Sequence, residues 1–247
     1  MKKIVGLMIA LGFLFQSCVT TEEMSVKKEG SIDYTLDMDF SELLKAMPME
    51  NTTSKEMKKA LDLVNGEELS VEQIMDLSLL ESKNAEQKKD SILKANPDLL
   101  KKTENLRLRV LMNDSIGNIA LKVIAKNATH LNASLENLEA LSALGDGKAK
   151  KLDAPEFVKK SKFEWKKKAF KRTIAVKPED LQKGLGELGQ MAAMFTYRIK
   201  VNVEQPIKSV SYEDAVIAKD GKSFVKTFKM SDVVSNPKIL EFTVELK

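Results

Sequence analysis

Histidine and cysteine carry much of the acid–base and nucleophilic chemistry of proteins. This chain of 247 residues has one of each, His130 and Cys18. His130 lies in Asn127-Ala128-Thr129-His130, read as the loop after a strand. It has no second imidazole beside it, and a protein zinc site needs several such ligands. Gly-x-Ser-x-Gly, His-Glu-x-x-His, P-loop and dinucleotide fingerprints are all missing from the sequence. Gly184, Gly186 and Gly189 fall inside one expected helix, where close packing explains them better than a phosphate cradle does. The 36 acidic residues allow many carboxylate pairs, but no pair is marked out for glycoside hydrolysis. The sequence therefore assigns no catalytic residue, no metal and no cofactor, and the chain is read as a non-enzyme.

Charge is distributed unevenly. Residues 148–172 hold eleven basic side chains against three acidic ones, a net charge of +8. Lys166, Lys167, Lys168, Lys171 and Arg172 cluster beside Phe163, Trp165 and Phe170. Two readings stand. The cluster is an anion-binding face for anionic lipid or polysaccharide, or it is a lysine-rich strand face that keeps a sheet edge from pairing.

Cys18 follows a short apolar run. Lys2 and Lys3 give a positive start, and Ile4 to Phe15 is apolar over 12 residues. That run is shorter than the roughly 20 residues a spanning helix needs, and it fits a cleaved signal. The stretch Phe15-Gln16-Ser17-Cys18 resembles the lipobox of bacterial lipoproteins. The resemblance implies that residues 1–17 are a signal peptide and that Cys18, once cleaved free, carries a diacylglyceryl group and an N-acyl chain. Residues 18–30 are read as a lipidated tether, and residues 31–247 as one domain. Val19 stands where an inner-membrane retention aspartate would be, which points to the outer membrane. Glu22-Glu23 loosely resembles an acidic surface-export signal. With Cys18 acylated no disulfide can form, so stability must come from a core, which an apolar content of 43% can supply.

The elements follow from periodicity. Ile32, Tyr34, Leu36, Met38 and Phe40 alternate with polar residues as in a half-buried strand. Asp33, Asp37 and Asp39 share its other face, read as solvated rather than as a cation site. Residues 41–104 read as a helical insertion. Capping boxes begin at Thr53 and Ser70, a third helix spans 85–95, and Pro97 breaks it. Strands return at 106–112 and 118–125, with Asp114-Ser115-Ile116-Gly117 as their turn. A helix is expected over 134–144. Residues 162–176 are strand-like, with a bulge or turn near Lys167. Pro178 opens a helix. Strands at 197–204, 223–229 and 240–246 complete the chain. The sum is an α+β fold, an antiparallel sheet with helices packed on one face.

The layout resembles uncharacterised lipoproteins of Gram-negative bacteria. The strand Tyr197-Arg198-Ile199-Lys200-Val201, then Gln205-Pro206-Ile207 and the turn Asp220-Gly221-Lys222-Ser223, is similar to the LppM-type lipoprotein domain. The resemblance implies no catalytic residues. The expected function is a lipid-anchored envelope protein, on the periplasmic face of the outer membrane or at the cell surface, that binds or scaffolds other envelope proteins. Nucleic acid does not fit that address. A carrier holding an apolar ligand between sheet and helices is the alternative, and a hydrolase with unrecognised carboxylates is a third class.

Overall fold

The computed structural model describes residues 18–46, 64–79, 84–113, 115–138, 155–185, 192 and 195–247. The expected signal peptide, the expected Thr53 capping box and most of the helix expected over 134–144 lie outside the described residues.

Twelve strands are described, and they form two sheets. The N-terminal half supplies β1 (Cys18–Val26), β2 (Ile32–Asp39), β3 (Glu68–Leu69), β4 (Leu106–Met112) and β5 (Gly117–Ala125). The C-terminal half supplies β6 (Ser161–Lys166), β7 (Ala169–Ile174), β8 (Phe195–Val203), β9 (Ile207–Val210), β10 (Val216–Ile217), β11 (Ser223–Lys229) and β12 (Phe242–Leu246). The larger sheet has eight strands in the order β10-β11-β8-β1-β2-β5-β4-β3, and the smaller has four in the order β6-β7-β12-β9. All described pairings between these strands are antiparallel except β1 with β8. The architecture is thus mixed α+β with antiparallel-dominated sheets. The expectation of one sheet backed by helices is corrected, because a second sheet covers much of the inner face of the first.

Residues 18–30 are not a tether. Cys18–Val26 is a central strand, hydrogen-bonded to β2 on one side and β8 on the other. Its Cys18, Thr20, Glu22, Met24 and Val26 side chains point inward and are buried. The described fold therefore includes these residues, with Lys27–Gly30 as the hairpin turn into β2. Gly30 has a positive φ of 91° and lies against Trp165, so a side chain there would be both strained and crowded.

Local sequence signals explain most other elements. Ser70 and Gln73 form a reciprocal capping box: the Gln73 amide donates to Ser70 Oγ at 3.2 Å, and the Ser70 amide donates to Gln73 Oε1 at 2.8 Å. The helix Val71–Leu79 follows, then Ala85–Ala95 and Leu99–Lys102. Among the described residues of the insertion the regular elements are helices apart from β3, which adds an edge to the large sheet. Lys167 sits in the two-residue turn between β6 and β7 with φ at 52°, and that turn produces the parity shift in 162–176.

The core lies between the sheets. Tyr34, Leu36, Val123, Tyr197, Ile199, Val201 and Phe224 from the large sheet face Phe163, Phe170, Phe242 and Val244 from the small one. Phe163 and Phe170 stack at 5.7 Å, and Phe224 meets Phe242 edge-on at 5.7 Å. The helix Ala128–Glu136 closes one flank. It is capped by Asn127, whose side chain accepts from the His130 amide at 2.9 Å.

Candidate functional site

Cys18 opens β1 beside Phe195 of β8. Burial first, and then the nearby Asp39 carboxylate, push its thiol pKa up. Such a thiol is a poor free nucleophile at neutral pH. The same position is the first described residue of β1, so a group attached to it is joined to the sheet without a spacer.

His130 is not in a loop. It lies in the first turn of the helix Ala128–Glu136, and its Nδ1 accepts from the Lys126 amide at 3.2 Å. The ring is used to finish a chain reversal. Among the described residues no group of three or more His, Cys, Asp and Glu side chains is arranged to hold a metal ion.

The basic cluster divides. Lys166, Lys167, Lys168 and Lys171 are exposed, and Lys166 pairs with Glu164 at 2.8 Å. Arg172 does not belong to the exposed face. It has no accessible surface, and its Nη1 donates to Glu22 Oε2 at 2.5 Å. Its Nε and Nη2 both reach Ser161 Oγ, at 3.0 and 2.9 Å, and its guanidinium lies 5.6 Å from the Phe163 ring centre. Inward parity on β7 put Arg172 there, beside Phe170 and Ile174. A charged residue at an inward position is tolerated only with a partner.

That partner comes from the strand misread as a tether. Glu22 Oε2 also accepts from Tyr197 OH at 2.6 Å. The Tyr34 hydroxyl and Glu22 Oε1 are buried without a hydrogen-bond partner of good geometry. Burial, then the Glu22 carboxylate, raises the pKa of both Tyr34 and Tyr197, so both phenols stay protonated. Burial alone would lower the Arg172 pKa. The Glu22 carboxylate opposes it, and the net direction is upward. The hydrogen bonds of the cluster tie β1 and β8 of one sheet to β6 and β7 of the other, with Tyr34 of β2 packed against them.

The second reading of the lysines, as guards of a sheet edge, meets a direct observation. β6 is indeed an edge strand of the small sheet. However, Asn132 occupies that edge: its Oδ1 accepts from the Phe163 amide at 2.7 Å, and its Nδ2 donates to the Phe163 carbonyl at 2.9 Å. A side-chain amide thus stands in for a neighbouring strand, and Lys162 pairs with Glu136 of the same helix.

The opposite, outward face of the large sheet holds a shallow depression of about 400 Å³. Thr21, Glu23, Thr35, Asp37, Glu68, Arg109 and Lys122 line it. Asp37 accepts from Asn118 at 2.7 Å and faces Arg109 at 3.6 Å, while Lys122 reaches Glu68 at 3.3 Å. Half-burial is the main reason the Asp37 pKa is raised, against the lowering effect of Asn118. The opposite charges neutralise one another across strands. No serine–histidine or cysteine–histidine pair lies there, so the residues can hydrogen-bond a polar group but present no activated nucleophile. The sequence signal for this face was the Asp33, Asp37, Asp39 alternation. Glu23 was missed with its strand.

No protein-family model matches the chain, and no curated protein matches it. Among solved structures it is similar to the NMR structure of the Mycobacterium tuberculosis LppM folded domain. That match has a TM-score of 0.41 and 5% identity, over 93% of this chain and 89% of the other. No helix among the described residues is long and apolar enough to cross a membrane.

Proposed function

We propose that the chain is a lipid-anchored cell-envelope protein that binds or scaffolds an extracytoplasmic partner. The observation that carries the reading is the position of Cys18. It is the sole cysteine, it follows a charged-then-apolar leader ending in a small residue, and it is also the first residue of a central strand. Cleavage before Cys18 would leave every described strand intact; acylation needs this first, inward-facing residue of β1 to turn outward, after which the acyl chains would hold the domain close against a bilayer. Two or three acyl chains, at about 0.8 kcal/mol per buried CH₂, give stable anchoring. An outer-membrane location is part of the proposal and rests on Val19.

Binding is preferred to the carrier alternative. The layer between the sheets, where an apolar ligand would sit, is occupied by stacked aromatic side chains and by the Arg172 cluster. The test is metabolic labelling with an alkyne fatty acid. The native chain should incorporate label, and Cys18→Ala should incorporate none and retain its leader. Equal labelling of both proteins would overturn the proposal.

A further inference from the structure

We infer that the pole of the domain farthest from Cys18 is a docking surface for an anionic polysaccharide. The proposal rests on lipid anchoring only for where that surface stands relative to the bilayer; the polymer site itself does not require it.

β1 runs from Cys18 to Val26 through the middle of the large sheet, a span of roughly 26 Å at the usual strand rise. β8 runs parallel beside it and ends at Val203 on the same edge. Three turns meet there: Lys27–Gly30, the β6–β7 turn at Lys167 and Lys168, and the β10–β11 turn around Asp220-Gly221. Specific contacts hold them together. Gly30 lies against Trp165, so that a Cβ there would come 3.1 Å from the indole Cδ1. The Leu246 amide donates to the Lys168 carbonyl at 2.8 Å, and the Ile207 amide donates to the Gly221 carbonyl at 2.7 Å. The Lys28 amide donates to Glu204 at 2.8 Å.

These segments, residues 27–30, 166–169 and 218–222, carry seven lysines. Glu29, Asp220 and the neighbouring Glu204 are the acids among and beside them. Lys28, Lys167, Lys168, Lys219 and Lys222 are exposed and have no carboxylate within ion-pair distance among the described residues. Flexible point charges on separate turns suit a polymer with repeated anionic groups better than one small anion. The half-buried Trp165 ring lies beside two of these turns, and its apolar body and polar N–H suit the mixed surface of a sugar.

The anchoring bilayer is the poorer partner. Its surface potential decays over about 8–10 Å at physiological salt, and the lysines stand well beyond that from the Cys18 pole. The protein then joins two things, a bilayer at one pole and a charged glycan at the other.

The test uses the acylated protein in phosphatidylcholine vesicles, with fluorescent dextran sulfate as probe and neutral dextran as its control. Dextran sulfate should float with the vesicles at low salt, and its affinity should fall at least tenfold at 0.3 M salt. The triple variant Lys28→Gln, Lys167→Gln, Lys168→Gln should bind at least tenfold more weakly. Lys45→Gln with Lys229→Gln, at the Cys18 pole, should bind as the parent does. Equal binding by the triple variant, equal capture of neutral dextran, or capture of separate phosphatidylglycerol vesicles without dextran sulfate would each overturn the inference. Circular dichroism checks that the variants are folded. Probe anisotropy with the same protein in detergent reads polymer binding even if nothing floats, which separates failure of anchoring from failure of the site.

Discussion

Glu22 and Arg172 are separated by 150 positions in sequence and by 2.5 Å in space, and neither has any accessible surface. Each would be costly to bury alone. Together with Ser161 and Tyr197 they form the polar centre of an otherwise apolar interface between two sheets.

Breaking that pair should be severe, and replacing it should be mild. Arg172→Ala leaves Glu22 buried without its cation and should cost about 3–5 kcal/mol. Glu22→Leu with Arg172→Met removes both charges and should recover much of that loss. Urea midpoints of the single and double variants give the coupling energy. Additive losses would show that the two charges do not stabilise each other.

The same pair explains what the sequence concealed. Met24 and Val26 show inward parity, but Thr20 and Glu22 break the apolar alternation in the middle of β1, so the strand reads as a polar tether. Arg172 reads as one more surface cation because ten other bases surround it within residues 148–172. Each residue makes sense inside the core only in view of the other, and single-sequence periodicity carries no long-range term. Where the signal is local it was legible. Ser70-x-x-Gln73 gave its cap, the alternation of 32–40 gave β2, and the shifted parity of 162–176 gave the turn at Lys167. The short β9 and β10 lack enough residues for a period, and the lysines at the far pole are scattered over turns that only the fold brings together.

Asn132 should be a structural residue of unusual leverage. Asn132→Leu removes both hydrogen bonds to the Phe163 backbone and should cost about 1–3 kcal/mol, the penalty for stranding polar groups. Hydrogen exchange should accelerate at the Phe163 amide more than at the Arg172 amide, and the variant should self-associate through its uncovered edge. Unchanged exchange at Phe163 would show that the side-chain amide is dispensable.

Lys167 holds a left-handed backbone conformation without being glycine. Lys167→Gly should raise stability by about 1 kcal/mol, the strain relieved less the added chain entropy. Lys168→Gly, without a positive φ to relieve, should not. Thermal midpoints of the two variants make the comparison.

Gly117 is needed for space. A Cβ there would come 2.5 Å from Phe40 Cε2 and 2.6 Å from Leu44 Cδ1. Gly117→Ala should cost about 1–3 kcal/mol, and Gly117→Ala with Leu44→Ala should cost less than the sum of the two alone.

The pH response of Asp37 has a definite sign. Its native pKa is raised, chiefly by half-burial, so the folded state holds this proton more tightly than the unfolded chain does. Its ionised form therefore weakens the fold above the native pKa, and that penalty disappears as pH falls through it. Asp37→Asn should flatten this segment of the stability-versus-pH curve in the mildly acidic range. A curve parallel to that of the parent would exclude Asp37 as its source.

The parallel pairing of β1 with β8 in the large sheet sets an order of events. β1 is made early, but its partner β8 emerges from the ribosome more than 150 residues later. Until then one full edge of the central strand stays open and Glu22 waits for an arginine not yet present. Long-range parallel pairing is slow to close. A chain wired this way keeps its central strand half-paired for most of its synthesis and needs protection from aggregation until the last third arrives.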